Sequence, residues 1–324
     1  MKNKNCSGAV PVKFQLSFLA PRFWGTWLLL GLLRLMMVLP RRWVMFLGAR
    51  AGDYFRRSNR KRRRIAEVNF ELCFPELTAE ERNRLLVEHF HTHGRCMMDM
   101  GLALWGSEKR LKKLVQLEGF EEQRKLVAEK NVLAITWHLT TMELCGLLMT
   151  MAGSSVSMMK LLKNPLLNWV IARGRGHMSD LDLVPREAGI RPLIKGLKSG
   201  RQCILLPDED FGFRGGDVVY VPFFGVPRAM LTTPGRIAKA TGAVITVCAT
   251  RLDPATGKYY GTFTPPLTEV KGDDPVADAK AICSAMESLI RQAPEQYLWT
   301  FRWFHSRPDG DESPYDPVFP VPAT

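Results

Sequence analysis

Two spacings of apolar residues organise the chain. From about residue 130 onward, short apolar runs alternate with amphipathic stretches. The runs at 132–137, 156–159, 203–206, 218–221, 244–249 and 259–264 are short and rich in Val, Ile, Leu and Tyr, which predicts strands. Between several of them, residues 142–151, 165–173, 191–197, 233–240 and 277–291 place apolar side chains at helical spacing. Strand–helix–strand alternation predicts an α/β fold: a mixed, largely parallel central sheet flanked by helices. In such sheets ligands gather beyond the carboxyl ends of the strands.

The N-terminal part has a different texture. Residues 23–39 read FWGTWLLLGLLRLMMVL, seventeen residues with Arg34 as the single charge. Pro21 and Pro40 bracket the run, and Trp24 and Trp27 lie near one end, as interfacial anchors do. This predicts a hydrophobic membrane-anchor helix near the lower length limit for spanning, with the arginine making full burial costly. No small-x-small cleavage site directly follows, so a removed signal peptide is not expected. Arg41-Arg42 comes next, then RRSNRKRRR from Arg56 to Arg64, seven basic residues in nine. By the positive-inside rule, everything after the apolar run stays on the cytoplasmic face. Residues 65–90 read as helical, broken at Phe74-Pro75-Glu76-Leu77-Thr78, with Thr78 capping a second helix and Glu81 three residues on. The expected division is an anchor and basic segment over 1–64, a catalytic domain over 65–311 and a tail over 312–324.

Composition changes this picture in one respect. With 324 residues, 46% hydrophobic and 24% charged, the chain is an ordinary globular protein and not a polytopic transporter. Forty-five Lys and Arg against thirty-two Asp and Glu give a net charge of +13, which favours an acidic partner. No aromatic stacking platform, helix-turn-helix or zinc-finger spacing accompanies the basic block, so nucleic acid is not the expected partner and an anionic membrane is. Seven cysteines, odd in number and without Cys-x-x-Cys, read as free thiols in a reducing compartment.

The candidate chemistry sits at one strand end. The predicted strand 132–137 runs directly into His138, followed by Leu139-Thr140-Thr141-Met142-Glu143 and an apolar helix. On one continuous helix, residues five apart point about 140° from each other. A strand-to-helix junction removes that restriction, and Glu143 is expected to turn back and orient one imidazole nitrogen while the other accepts a proton.

His-x4-Glu at this place resembles the signature of the glycerolipid and lysophospholipid acyltransferase superfamily. The chain is most similar to the branch comprising the late (lauroyl/myristoyl) acyltransferases of bacterial lipid A biosynthesis. The resemblance extends over Pro21–Trp27, Asn69–Glu76, Asn164-Pro165-Leu166 with Arg175, Leu206-Pro207-Asp208-Glu209-Asp210-Phe211-Gly212, Pro294–Tyr297 and Arg307-Pro308-Asp309-Gly310, in family order.

That resemblance implies transfer of a C12–C14 acyl chain from an acyl carrier protein thioester to a hydroxyl of a Kdo-bearing lipid A precursor. The implied site is the cytoplasmic face of the bacterial inner membrane. His138 would be the general base and Glu143 its orienting partner, with no acyl-enzyme, no metal and no organic cofactor. Arg175 would bind an anionic group, and Asp208 with Asp210 would occupy the acceptor-binding block. Pro-Asp-Glu-Asp stands where glycerol-phosphate acyltransferases carry Phe-Pro-Glu-Gly, which argues against a glycerol-phosphate acceptor. A lysophospholipid or amino-lipid acceptor is the alternative within the superfamily, and a non-catalytic basic membrane adaptor the alternative outside it.

Two other patterns carry less. His89, His93 and Cys96 share a helical face, but no fourth metal ligand is evident. Gly212-Phe213-Arg214-Gly215-Gly216 lacks the Lys-Ser/Thr of a nucleotide loop and reads as a flexible loop beside the substrate.

Overall fold

The computed structural model describes residues 13–210, 217–308 and 312–315. The glycine-rich stretch 212–216, Asp309-Gly310 of the closing motif, most of the expected tail and Cys6 lie outside the described residues.

A seven-stranded sheet runs through the molecule. It contains β1 (Val115–Glu118), β2 (Val132–Ile135), β3 (Ser155–Met159), β4 (Leu181–Pro185), β5 (Gln202–Leu205), β8 (Val244–Asp253) and β9 (Lys258–Phe263), in the order β1-β9-β8-β2-β5-β3-β4. All neighbours are parallel except β8 and β9, so the sheet is mixed and largely parallel. A separate hairpin is formed by β6 (Val218–Phe223) and β7 (Val226–Leu231).

The parallel half is built by helices α8 (Met142–Thr150), α9 (Pro165–Arg175) and α10 (Arg191–Lys198), each returning the chain to start another parallel strand. From β2 the chain steps outward to β3 and β4, then returns to insert β5 between β2 and β3. The carboxyl ends of β2 and β5 are thereby neighbours.

Both faces of the sheet are covered, which is why its central strands read as apolar runs rather than as alternations. In β2, Leu133 and Ile135 enter one core, and Val132 and Ala134 the other. The first core is completed by α3 (Arg60–Cys73), α4 (Ala79–Met98), α11 (Thr233–Thr241) and α12 (Pro275–Ile290). All six expected strands and all five expected helices after residue 130 are present. The strands that pattern missed include both sheet edges, β1 and β4, where exposed polar side chains such as Gln116, Glu118 and Asp182 interrupt any apolar run. The third, β7, contains Pro227 and an arginine.

Thr78 caps α4 with the reciprocal Glu81 bonds expected of it. The boundary expected at 64/65 falls inside α3, which begins at Arg60 with Asn59 as its cap. Much of the basic block is occupied within the fold. Arg56 and Arg57 pair with Asp53, Arg63 and Arg64 with Glu67, and Arg62 donates to the Thr300 carbonyl.

The apolar N-terminal run forms α1 (Trp24–Met36), followed by α2 (Arg41–Ser58). Thirteen residues rise about 20 Å, well under the roughly 30 Å of a bilayer core. Among the described residues no helix is long and apolar enough to cross a membrane. Pro40 ends the run and redirects the chain into α2. That helix packs on α4 at backbone contact: a Cβ at Gly52 would stand 1.9 Å from the Phe90 carbonyl, and one at Gly94 2.1 Å from that of Gly48.

Candidate active site

His138 stands three residues beyond β2, at the carboxyl edge of the sheet. Asp208 stands three residues beyond β5, the adjacent strand. Pairing of β2 with β5 matches Leu133 to Cys203, Ala134 to Ile204 and Ile135 to Leu205. The Thr136 amide extends this ladder to the Leu205 carbonyl at 3.1 Å. Carried three residues further, the same register sets His138 against Asp208. The His138 backbone amide donates to Asp208 Oδ2 at 2.9 Å, and its ring Nδ1 lies 2.8 Å from Oδ1.

An ionised carboxylate only accepts, so Nδ1 carries the proton and Nε2 keeps its lone pair. The Asp208 side chain is fully buried, while the His138 side chain keeps 16% of its surface. Tyr297 adds a hydroxyl bond to Asp208 Oδ2 at 3.2 Å. The rings of Phe301 and Trp303 flank the imidazole at 5.4 and 5.9 Å between centroids.

Burial opposes charging of the imidazole, but the charge and hydrogen bond of Asp208, aided by Glu209, outweigh it. The His138 value is therefore raised above the ordinary 6.5. Burial pushes Asp208 upward; the charge and hydrogen bonds of His138, with Arg228, outweigh it and hold the carboxyl below its ordinary range.

The expectation that Glu143 turns back onto His138 is not what the structure shows. Glu143 lies in the first turn of α8 and takes a two-pronged ion pair with Arg175 at the end of α9: Nε to Oε2 at 2.9 Å and Nη2 to Oε1 at 2.6 Å. Two physical reasons direct it there. Strand register has already placed a carboxylate on Nδ1, and the planar guanidinium matches both carboxylate oxygens at once. Burial opposes the Glu143 charge, yet the Arg175 charge and bonds prevail and lower its value. Arg175 and Glu143 thus meet each other, while Asp208 meets His138.

Asp210 is elsewhere. It accepts from the Ser306 amide at 2.6 Å and hydroxyl at 2.7 Å, tying the loop after β5 to the C-terminal segment. That segment also borders His138: Thr140 donates to the Gln296 carbonyl at 2.8 Å, and Leu298 to the His138 carbonyl at 2.9 Å. The Pro294–Tyr297 stretch is therefore a backbone brace for the histidine.

Tyr297 entered the sequence reading only as the end of the Pro294–Tyr297 stretch, with no role given to it, and the Phe301–Trp303 pair was not singled out. Aromatic clustering near the C-terminus was the available signal. His89, from the patterned histidines of α4, contacts the Glu295 carbonyl through Nδ1 at 2.8 Å and supports the same brace. Burial drives its value down to about 3. No group of three potential metal ligands occurs among the described residues.

Beside Glu143 a cleft opens between α8 and residues 96–103, which span the end of α4 and the start of the next helix; Met97, Met100, Ala103, Thr140 and Leu144 wall it. An imidazole held by a carboxylate at a strand end, a paired guanidinium and an apolar cleft together could serve attack by a hydroxyl on an acyl carbonyl that carries a long chain.

Comparison with known proteins points the same way. The profile of the family described as bacterial lipid A biosynthesis acyltransferase matches residues 12–306. The chain is 32% identical to the Escherichia coli lipid A biosynthesis palmitoleoyltransferase, over 94% of this chain and 98% of that protein. It is 32% identical to the lauroyltransferase of the same organism, again over 94% and 98%. It is 29% identical to the myristoyltransferase, over 96% of each.

Proposed function

Because the chain belongs to the bacterial lipid A biosynthesis acyltransferase family and is an acyltransferase, we propose that it moves a fatty acyl chain of the C12–C14 class from acyl carrier protein to a hydroxyl of a Kdo-bearing lipid A precursor. The observation that carries the mechanism is the His138–Asp208 contact, which engages Nδ1 at the carboxyl edge of the sheet and leaves Nε2 without a hydrogen-bond partner among the described residues.

In this reaction His138 Nε2 takes the proton of the acceptor hydroxyl as its oxygen attacks the thioester carbonyl. The ester C–O bond forms, the C–S bond breaks, and the imidazolium returns its proton to the departing carrier thiolate. Asp208 holds the ring and balances the transient imidazolium. Glu143 engages Nε and Nη2 of Arg175, leaving Nη1 for an anionic substrate group. The cleft lined by Met97 and Met100 takes the acyl tail; thioether side chains adapt to chains of differing shape. The net charge of +13 draws in the acidic carrier protein and the phosphorylated acceptor.

The same reading seats the protein on the cytoplasmic face of the inner membrane. Trp24, Leu28, Leu32 and Leu35 of α1, and Trp43 and Phe46 of α2, expose their side chains. Arg22, Arg34, Arg42 and Arg50 are exposed among them. This is the composition of a surface that enters one leaflet and meets anionic head groups.

The test is acyl transfer by the purified protein from labelled lauroyl-, myristoyl- and palmitoleoyl-carrier protein to the Kdo-bearing precursor, compared with His138→Ala. Transfer abolished in the variant is the expected result. Transfer to lysophospholipid instead of the precursor would overturn the acceptor assignment, and activity surviving in His138→Ala would overturn the base.

A further inference from the structure

Behind Asp208 lies a cation that the reaction as described does not use. Arg228 sits in β7, opposite Val221 of β6, and none of its surface reaches solvent. Its Nη2 donates to the main-chain carbonyl of Asp208. The guanidinium carbon lies 4.6 Å from the centre of the Phe223 ring, 4.8 Å from that of Trp303 and 6.0 Å from that of Tyr297. Nε and Nη1 have no hydrogen-bond partner among the described residues. No carboxylate among the described residues forms a salt bridge with it.

Such an arrangement is costly. Removing an ion from water costs several kcal/mol even after relaxation. Aromatic faces and a single carbonyl bond return only part of that cost. Arg228 therefore depends on a buried negative charge close by, and Asp208, whose own peptide carbonyl it holds, supplies it. The stacked pair Tyr297 and Trp303, 4.7 Å apart, links the guanidinium to the histidine: Tyr297 bonds the Asp208 carboxylate and Trp303 flanks the imidazole.

We propose that Arg228 is a positioning residue of the acyl transfer: it fixes the turn that presents Asp208 to His138, and its buried charge favours the neutral imidazole over the imidazolium until the acceptor hydroxyl arrives. With neutral His138, one cation and one carboxylate share the buried site. With His138 charged, two cations compete for that carboxylate.

The charges facing His138 come from several elements. Asp208 and Glu209, on the loop after β5, favour the imidazolium, and Arg228 on β7 opposes it. Glu143 of α8 and Arg175 of α9 cancel in their mutual pair. Arg62 of α3 lies over Phe301. Loss of Arg228 leaves the two carboxylates unopposed from β7, so the imidazole holds its proton to higher pH.

This inference rests on His138 being the base, and its test separates the two. In wild type, Arg228→Met and Arg228→Lys, kcat and KM for both substrates are measured across pH, and the His138 imidazole is titrated by NMR without substrate. In Arg228→Met, kcat at neutral pH is expected to fall about 10–100-fold with both KM values little changed. The rising limb of the pH profile moves to higher pH, and part of the loss is recovered there. Arg228→Lys keeps the limb in place while kcat falls, and it carries the test alone if Arg228→Met does not fold. An unmoved imidazole midpoint in Arg228→Met, or a shifted midpoint in Arg228→Lys, overturns the role of Arg228. A midpoint that moves as expected in a protein whose transfer survives His138→Ala overturns the base assignment instead.

Discussion

His138 and Asp208 are separated by 70 residues, the same offset that relates Leu133 to Cys203 and Ile135 to Leu205 in the β2–β5 ladder. The dyad is the continuation of strand register past the ends of two parallel neighbours. Its geometry thus starts from the buried centre of the sheet, which sets the two residues opposite each other, and the segments around them complete it.

That placement distinguishes the two carboxylates near the histidine. Asp208→Asn removes the acceptor on Nδ1 and is expected to lower kcat by roughly 10²–10⁴-fold while leaving KM for the acceptor nearly unchanged. Glu143→Gln leaves the imidazole held and acts through Arg175, so its effect falls on substrate affinity first. Steady-state kinetics on both variants decide this, and the reverse assignment of kcat and KM effects would return Glu143 to the histidine.

The Glu143–Arg175 pair should also be visible in stability. Both side chains are mostly buried, at 17% and 24% exposure. Removing one partner leaves a charge without its counterpart, costing about 3 kcal/mol at the lower end of measured cases. Glu143→Leu combined with Arg175→Met should cost less than the two single changes added together, with a coupling above about 1 kcal/mol. Denaturant unfolding of the four proteins gives the cycle; additive costs would mean the ion pair contributes nothing.

The pH dependence follows from the raised value of His138. A base must be neutral to act, so activity should climb as pH rises through a midpoint above 6.5. Stability moves in the opposite direction. The folded state binds the imidazole proton more tightly than the unfolded chain, so the stabilisation is fully present below about 6.5 and is lost as pH rises through the folded value. His138→Gln should remove that loss, which thermal unfolding at pH 6 and pH 9 would show.

At the membrane surface, Leu28→Ser with Leu32→Ser and Trp24→Ser should weaken flotation with phosphatidylglycerol-containing vesicles and leave the melting temperature unchanged. High salt should weaken the binding of wild type in part, because exposed arginines contribute about 1 kcal/mol each near an anionic leaflet. Equal flotation of wild type and variant would remove α1 from the membrane contact.

The close contact of α2 with α4 gives a test of the fold itself. Gly52→Ala places a methyl group 1.9 Å from the Phe90 carbonyl. Backbone cannot yield as a flexible side chain can, so a loss of about 1–3 kcal/mol is expected. Gly31→Ala, whose Cβ meets nothing within 4 Å, is the control and should be neutral or slightly stabilising.

Much of this protein was legible in its residues because the informative features are local. Apolar runs of strand length, helical spacing between them, the Thr78–Glu81 cap and the ending of a strand at His138 each depend on a few neighbouring side chains. Those features were enough to name the α/β sheet and to place the histidine at the carboxyl end of one of its strands, and motif order was enough to suggest the family. The partner of that histidine was not local. Glu143 is five residues away in sequence, Asp208 is 70, and sequence proximity favoured the wrong neighbour. Only the order in which strands assemble, with β5 returning between β2 and β3, decides which carboxylate reaches Nδ1. The same holds for Arg228, an arginine within an apolar strand whose role depends on Asp208 above it and aromatic rings around it. Hydrophobic patterning selects elements because burial acts on each side chain where it stands; register and adjacency are settled by packing of the whole sheet.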